Sequence, residues 1–293
     1  MTPTQPPGCV RVAARFKAYN RDVKDVWAAY LCIDDSMTSL RLQIKSGSLS
    51  PFSLESLSGV GSQIHEKNPD NTYGILSHVA SVVNPQRALL ASVALTEDFL
   101  KDLAIAVYSA YPQRLTTSDD SGATAERERK LLNILLNSAT REEAIEQVIE
   151  ERVRSLFYGN PIDFFQKDKK VRLDFGSYFA ERHARNLEYL AEILARRNIY
   201  AHNQGRVDRK YLREVSATKL TVGTRPVIDK LYMRHSLIVM RGLAAVAAVL
   251  VNRNVFKCSD VRGTLKRVFS PFESNYTDKA RAEDCTAIGL QLP

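Results

Sequence analysis

FAERHARNLEYLAEILARRNIYAHNQG, residues Phe179 to Gly205, is the stretch that decides the fold. Phe179, Leu187, Leu190, Ala191, Ile193 and Leu194 approximate steps of three and four, which lay apolar side chains along one face of an amphipathic helix. Gly205 supplies the stop. The stretch therefore predicts a helix from about Tyr178 that carries Arg196, Arg197, Asn198 and His202 on or beside its C-terminal end.

The surrounding chain has the same helical period. Ile75, Leu76, Val79, Val82 and Val83 cluster on one face, and Asn84-Pro85 predicts a break followed by a capped new start. Leu89, Val93, Leu100, Leu103 and Val107 mark the next helix, to about Tyr111. Ser118–Gly122 reads as a loop and Glu126–Leu136 as a further helix. Thr140 and Glu143 form a capping box ahead of Ala144, Ile149, Val153 and Leu156. A last helix is expected over Asp229–Val251. Its segment Leu243–Val251 is wholly apolar, but Arg241 and Gly242 keep the run short of the roughly 20 residues a membrane span needs, so it reads as a core helix.

The N-terminal part has a different pattern. Val10, Val12, Ala14, Phe16 and Ala18 alternate with polar or small neighbours, as do Leu40, Leu42 and Ile44, which is the period of half-buried strands. Val23, Val26, Trp27, Tyr30 and Leu31 read as a helical piece between them, and Ser46–Ser62 as a loop. The adjacent acids Asp34 and Asp35 suit a turn. The organisation expected is a loose start over 1–8, a mixed α/β or loop-rich accessory region over 9–84, a mainly α helical bundle over 85–257, and a basic to polar tail over 258–293. Lys219–Val227 reads as a turn-rich, strand-like connection.

Composition bounds the function. Hydrophobic residues at 44% and charged residues at 25% describe an ordinary globular chain and argue against disorder or a fibrous repeat. The four cysteines are scattered without Cys-x-x-Cys spacing, and no basic segment followed by an apolar core opens the chain. Reduced thiols and a cytoplasmic, membrane-free protein are expected. A formal charge of +8 favours polyanionic partners, because lysine and arginine bind phosphate backbones with release of counterions. No Gly-x-Ser-x-Gly elbow, His-Glu-x-x-His helix or Walker lysine is present. His65, His78, His183 and His235 lack metal-ligand company and read as surface or core residues.

Arg197-Asn198-Ile199-Tyr200-Ala201-His202 resembles the Arg-x4-His signature of the HEPN (higher eukaryotes and prokaryotes nucleotide-binding) fold, with Asn198 as the polar residue that often follows the arginine. The helices around the motif extend the likeness over roughly residues 85 to 255. The resemblance implies a HEPN-like helical bundle and a metal-independent endoribonuclease, toxin-like or antiphage, that acts as a homodimer with two motifs in one cleft. It also implies a possible antitoxin or regulatory partner. One branch of the family carries a modified tyrosine two residues after the histidine. Gln204 stands there, so that mode of control is not expected.

The residue chemistry fits such a reaction. Histidine titrates near neutrality, which makes His202 the candidate acid or base. Arg197 offers a permanently charged planar fork for the scissile phosphate, and Asn198 can orient His202 or a phosphate oxygen. No cofactor or metal is needed, since RNA carries its own 2′-hydroxyl nucleophile. On an uninterrupted helix, however, an i,i+5 pair points about 140° apart. Either the helix breaks inside the motif or groups from two copies converge.

Arg196, Lys167, Lys169, Lys170 and Arg172 are the expected RNA contacts. The last four are interleaved with Phe164, Phe165 and Phe175, a pattern that suits phosphates on charges and bases on rings. The plainer readings remain open: last-turn cations that only complement a helix dipole, phenylalanines that anchor a loop, a non-catalytic HEPN-like nucleotide-, RNA- or protein-binding subunit, or a purely structural bundle.

Overall fold

The first helix, α1, spans Pro7–Lys45 in the computed structural model, which describes residues 6–50, 69–115, 134, 137–157, 160–215 and 218–283. Two strands expected within this span are absent. Cys9, Val12, Phe16, Tyr19, Val23 and Tyr30 are buried along it, a spacing of three and four, while Val10 is 53% exposed. Val12 and Phe16 fit both periods, but Cys9, Tyr19 and Val23 fit only the helical one, and burial of that stripe settles the conformation. Asp34 and Asp35 consequently lie inside a helix and not in a turn.

The chain stays helical through Asn84-Pro85. Helices α2 (Pro69–His78) and α3 (Asn84–Ala110) are joined through a π-helical turn, Val79–Val83, with no break between them. Asn84 has helical φ and ψ of −62° and −51°, and its N–H donates to the Val79 carbonyl, five residues back. Proline inside a helix lacks its own N–H and crowds the carbonyl four residues earlier, and a widened π turn ahead of Pro85 accommodates both defects. The Asn84 side chain is spent on the Tyr30 carbonyl at 2.8 Å instead of on capping.

The remaining elements are α4 (Arg141–Phe157), the short α5 (Asp163–Gln166), α6 (Asp168–Val171) and α7 (Tyr178–Arg182), then α8 (Ala184–His202), α9 (Arg209–Glu214), α10 (Lys230–Leu250), α11 (Gly263–Asn275) and α12 (Asp278–Glu283). Of the described residues 79% are helical and none lies in a strand, so the class is mainly α. The Thr140 hydroxyl caps α4 at 3.1 Å from the Glu143 N–H. Most of the helix expected at Glu126–Leu136, the loop Ser118–Gly122, residues 51–62 of the serine-rich run and the last ten residues lie outside the described residues.

The chain packs as two compact units, one of residues 1–21, 94–193 and 238–292, the other mainly of 22–93 and 194–237. In the first unit, Tyr19 stacks on Phe99 with centroids 4.9 Å apart, and its hydroxyl lies 3.0 Å from that of Thr96. Leu243–Leu250 of α10 and Val251, the first residue of the π-helical turn Val251–Val255 that follows it, are buried as a core helix. This is the one described helix apolar and long enough to cross a membrane, and most of it is covered by protein. Cys9 and Cys258 are buried free thiols, and burial, reinforced by the neighbouring Cys258, pushes Cys9 up to about 12.

Glu273 gathers His183 (2.8 Å), the Tyr178 hydroxyl (2.9 Å) and Arg182 (3.0 Å), while the His183 ring stacks on Phe272. This network fixes α11 in the unit and makes His183 a core residue. It also fixes the Phe272 ring. A Cβ added at Gly242 of α10 would sit 2.1 Å from that ring. Gly242→Ala is therefore expected to lower stability by roughly 1–3 kcal/mol through overpacking, although alanine favours a helix interior by about 1 kcal/mol. A raised melting temperature in circular dichroism would show that Phe272 moves aside freely.

Candidate nucleic-acid site at the end of α8

The second unit contains the whole motif. Helix α8 starts at Ala184, not Tyr178, because His183 with φ −136° interrupts the preceding short helix. From there it runs unbroken to His202. It ends in a left-handed turn: Asn203 and Gly205 both donate to the Ile199 carbonyl at 2.8 and 2.9 Å. Gln204 with φ 53° occupies the left-handed position, and Gly205 with φ 73° follows it. Glutamine thus takes the left-handed place usually given to glycine at a helix end. Gly205 is still required, since a Cβ there would meet the Tyr200 ring at 2.5 Å.

Beyond the stop the chain makes an excursion and comes back. Asp208 caps α9 by accepting from the Tyr211 N–H at 2.7 Å, and Asp229 accepts from Tyr232 N–H at 2.7 Å ahead of α10. The Lys219–Val227 connection is not a strand. Its one ladder-like feature is Val207, which donates to Thr224 at 2.9 Å and accepts from Gly223 at 2.8 Å. Ala195, Ile199, Val207, Tyr211 and Val215 form the small core beneath this excursion.

Two residues one helical turn apart hold its far end. Arg196 donates to the Val227 carbonyl at 2.9 Å with its guanidinium 4.0 Å over the Tyr232 ring, and the Tyr200 hydroxyl donates to the Pro226 carbonyl. Arg196 is only 1% exposed. Expected as an RNA contact, it is instead a buried fastener, and its guanidinium cannot meet a phosphate in this conformation.

The clasp fixes where the other motif residues point. At 100° per residue, Asn198 and His202 lie about 200° and 240° around the helix from Arg196, and Arg197 about 100°. His202 is accordingly exposed, and Arg197 and Asn198 are half-buried. The uninterrupted helix removes one of the two geometries open to the motif, that of a break inside it. Arg197 and His202 of the chain diverge, while Asn198 and His202 stack at i,i+4.

No family model, curated protein or solved structure matches the chain.

The other expected RNA contacts belong to the first unit. Lys167 is exposed but ion-paired with Asp163 at 2.8 Å, Lys169 is exposed, and Lys170 and Arg172 are half-buried. Phe164, Phe165 and Phe175 offer no stacking surface: they are at most 3% exposed and pack edge-on with Phe179 and one another. The loop is held rigid by Arg114, whose fork meets the Asp174 carboxylate at 2.8 and 2.7 Å. These hydrogen bonds, more than the charge itself, keep Asp174 below the usual carboxylate range.

A different basic group escapes the motif reading. Residues 194–237 hold ten lysines and arginines against three acids, so this segment carries +7 of the chain's +8. A windowed charge count would have found it. Two of the acids, Asp208 and Asp229, are the helix caps, and Glu214 lies 3.8 Å from Lys210.

Two substitutions test this local architecture. Arg196→Lys keeps the charge but loses the planar fork, and is expected to destabilise by about 1–3 kcal/mol. Hydrogen exchange at residues 206–228 is expected to accelerate with it, and unchanged exchange there would mean the clasp does not hold the excursion. Gln204→Gly is expected to stabilise by about 0.5–1 kcal/mol, read by denaturant titration, because glycine adopts the left-handed turn without the Cβ penalty.

Proposed function

We propose that this chain is a metal-independent endoribonuclease whose active site is composed from the α8 ends of two copies. The observation that carries the reading is the unbroken last turn of α8, with His202 exposed at the surface and Arg197 half-buried on another side. One straight turn offers an acid–base group and a phosphate-binding fork that do not converge. Two copies related by a twofold axis supply Arg197 from one and His202 from the other.

The reaction then follows from the substrate. His202 in its neutral form takes the proton from a ribose 2′-hydroxyl, and that oxygen attacks the adjacent phosphorus. The bond from phosphorus to the 5′-oxygen breaks, and the leaving oxygen takes a proton from an imidazolium. The products are a 2′,3′-cyclic phosphate and a 5′-hydroxyl. Arg197 holds the phosphate as charge builds on its oxygens, and Asn198, stacked one turn below His202, orients the imidazole. DNA, lacking the 2′-hydroxyl, is not cut. The reading puts the protein's work in the cytoplasm, where RNA and reduced thiols occur, and the free thiols of Cys9 and Cys258 suit such a compartment. A chain that cleaves RNA needs restraint, which fits a toxin-like or antiphage effector held by a regulatory partner.

The divergence of Arg197 and His202 also supports a second reading, a non-catalytic RNA- or nucleotide-binding subunit. Incubation with single-stranded RNA in the presence of a chelator separates the two. Cleavage with cyclic phosphate ends is expected, with His202→Ala lowering the rate about 100-fold or more. A mixture of His202→Ala and Arg197→Ala protomers is expected to regain up to about one quarter of the wild-type rate, since half of the dimers formed are mixed and each has one intact site. RNA bound but uncut, with binding insensitive to His202→Ala, supports the binding subunit instead. Cleavage without complementation in the mixture rules out the composite site.

A further inference from the structure

We infer that the excursion between α8 and α10 is a phosphate-backbone-binding surface, which holds a nucleic-acid strand beside His202 without reading its base sequence. Between Arg206 and Arg234, eight lysines and arginines stand on the surface, among them Arg206, Arg209, Lys210, Arg213 and Arg225. Such a concentration of like charge is unfavourable in the free protein, and the three acids of the segment, with Asp35 of α1 at 4.0 Å from Lys230, do little to relieve it. Asp208 and Asp229 accept backbone N–H groups at helix starts, and the Lys210–Glu214 pair is a long surface ion pair of 3.8 Å. A polyanion is the ligand that relieves it.

The backbone places this charge at the motif. The Asn203 side chain, next to His202, donates to the Arg206 carbonyl at 2.6 Å. The bond between Val207 and Thr224 brings residues 206 and 225 next to one shared hydrogen bond, so two arginines flank the turn that follows His202. The underlying core of Ile199, Val207, Tyr211 and Val215 and the clasp to Pro226 and Val227 make the excursion a fixed platform.

The composition of the surface favours nucleic acid over an anionic membrane. Arginines outnumber lysines five to three between Arg206 and Arg234, and their planar forks match phosphate oxygens in pairs. The exposed apolar residues of the segment, Val222, Val227 and Leu231, do not form the continuous apolar helical face that insertion into a bilayer needs, and α9 is only six residues long. The contacts argued for are charges on phosphates, so affinity is expected to come from the backbone and to be tolerant of sequence.

The inference deepens the ribonuclease reading but is measured apart from it. The probe is a fluorescent single-stranded DNA oligonucleotide, which cannot be cut by 2′-hydroxyl attack, titrated with full-length protein at several KCl concentrations. Arg209→Gln/Lys210→Gln/Arg213→Gln is expected to weaken binding at least about tenfold at low salt. It is also expected to flatten the slope of log K against log salt by about two, at roughly 0.7 for each phosphate of a single strand that is no longer neutralised. Arg206→Gln/Arg225→Gln is a second variant and is expected to lower the slope by about 1.4 on the same basis. A control with equal charge loss, Lys257→Gln/Lys266→Gln/Arg267→Gln, is expected to change affinity less than about twofold. The same DNA is expected to compete with RNA in the cleavage assay. Equal losses in control and test variants, unchanged slopes in both test variants, or tighter binding to phosphatidylserine vesicles than to the oligonucleotide at matched salt overturns the inference. Loss of RNA cleavage with DNA binding intact overturns only the ribonuclease reading.

Discussion

The architecture of the α8 end depends on a clasp made by Arg196 and Tyr200. They lie one turn apart on the same face of α8, and each donates to a carbonyl of the returning chain, Val227 and Pro226. An arginine is costly to bury, and what makes it tolerable is a strong acceptor combined with the face of Tyr232 at 4.0 Å. The clasp gives the excursion a defined path and determines which sides of α8 remain available. Asn198 and His202 are on the side away from it, which is why the histidine of the motif is in solvent.

How much of this is legible in the sequence differs from element to element. Helix α8 and its end are visible because the apolar spacing and Gly205 are local signals. Helix α1 reads as a strand over its first ten residues, where Val12 and Phe16 satisfy periods of two and of three to four equally. The decision rests with Cys9, Tyr19, Val23 and Tyr30, which extend the stripe well past the length of a strand. Asn84-Pro85 resembles a helix start in every local respect. Only the tertiary use of the Asn84 side chain by Tyr30, 54 residues earlier, and the π turn before it show otherwise.

The candidate site divides in the same manner. Arg197, Asn198 and His202 can be named from spacing and resemblance, and the arrangement of one unbroken turn follows from helix geometry. The fate of Arg196 cannot, since it depends on Tyr232 and Val227, more than thirty residues on. Phe164, Phe165 and Phe175 show the converse. Aromatic residues among lysines look like a stacking platform until burial is known, and here they are the packed centre of a loop. The overall charge points to a polyanion but not to a place, because +8 over 293 residues conceals that one segment holds nearly all of it.

A composite site and a basic excursion make opposing demands on assembly. Bringing two α8 ends together also brings two segments of net +7 toward each other, and at moderate ionic strength charges within about 8–10 Å of one another are poorly screened. Burial at the interface has to overcome that repulsion in the free protein. A nucleic-acid strand lying across both copies removes the repulsion and adds attraction to each. By linkage, whatever binds the paired form more tightly than the single chains drives pairing by the same free energy. On the composite-site reading, substrate and dimer are thus coupled: the charge that opposes pairing in the absence of RNA becomes attraction once a phosphate backbone occupies the cleft. The clasp at Arg196 contributes indirectly, since a fixed excursion can present its arginines without first being ordered by the strand, and the ordering cost is then met on folding instead of on binding.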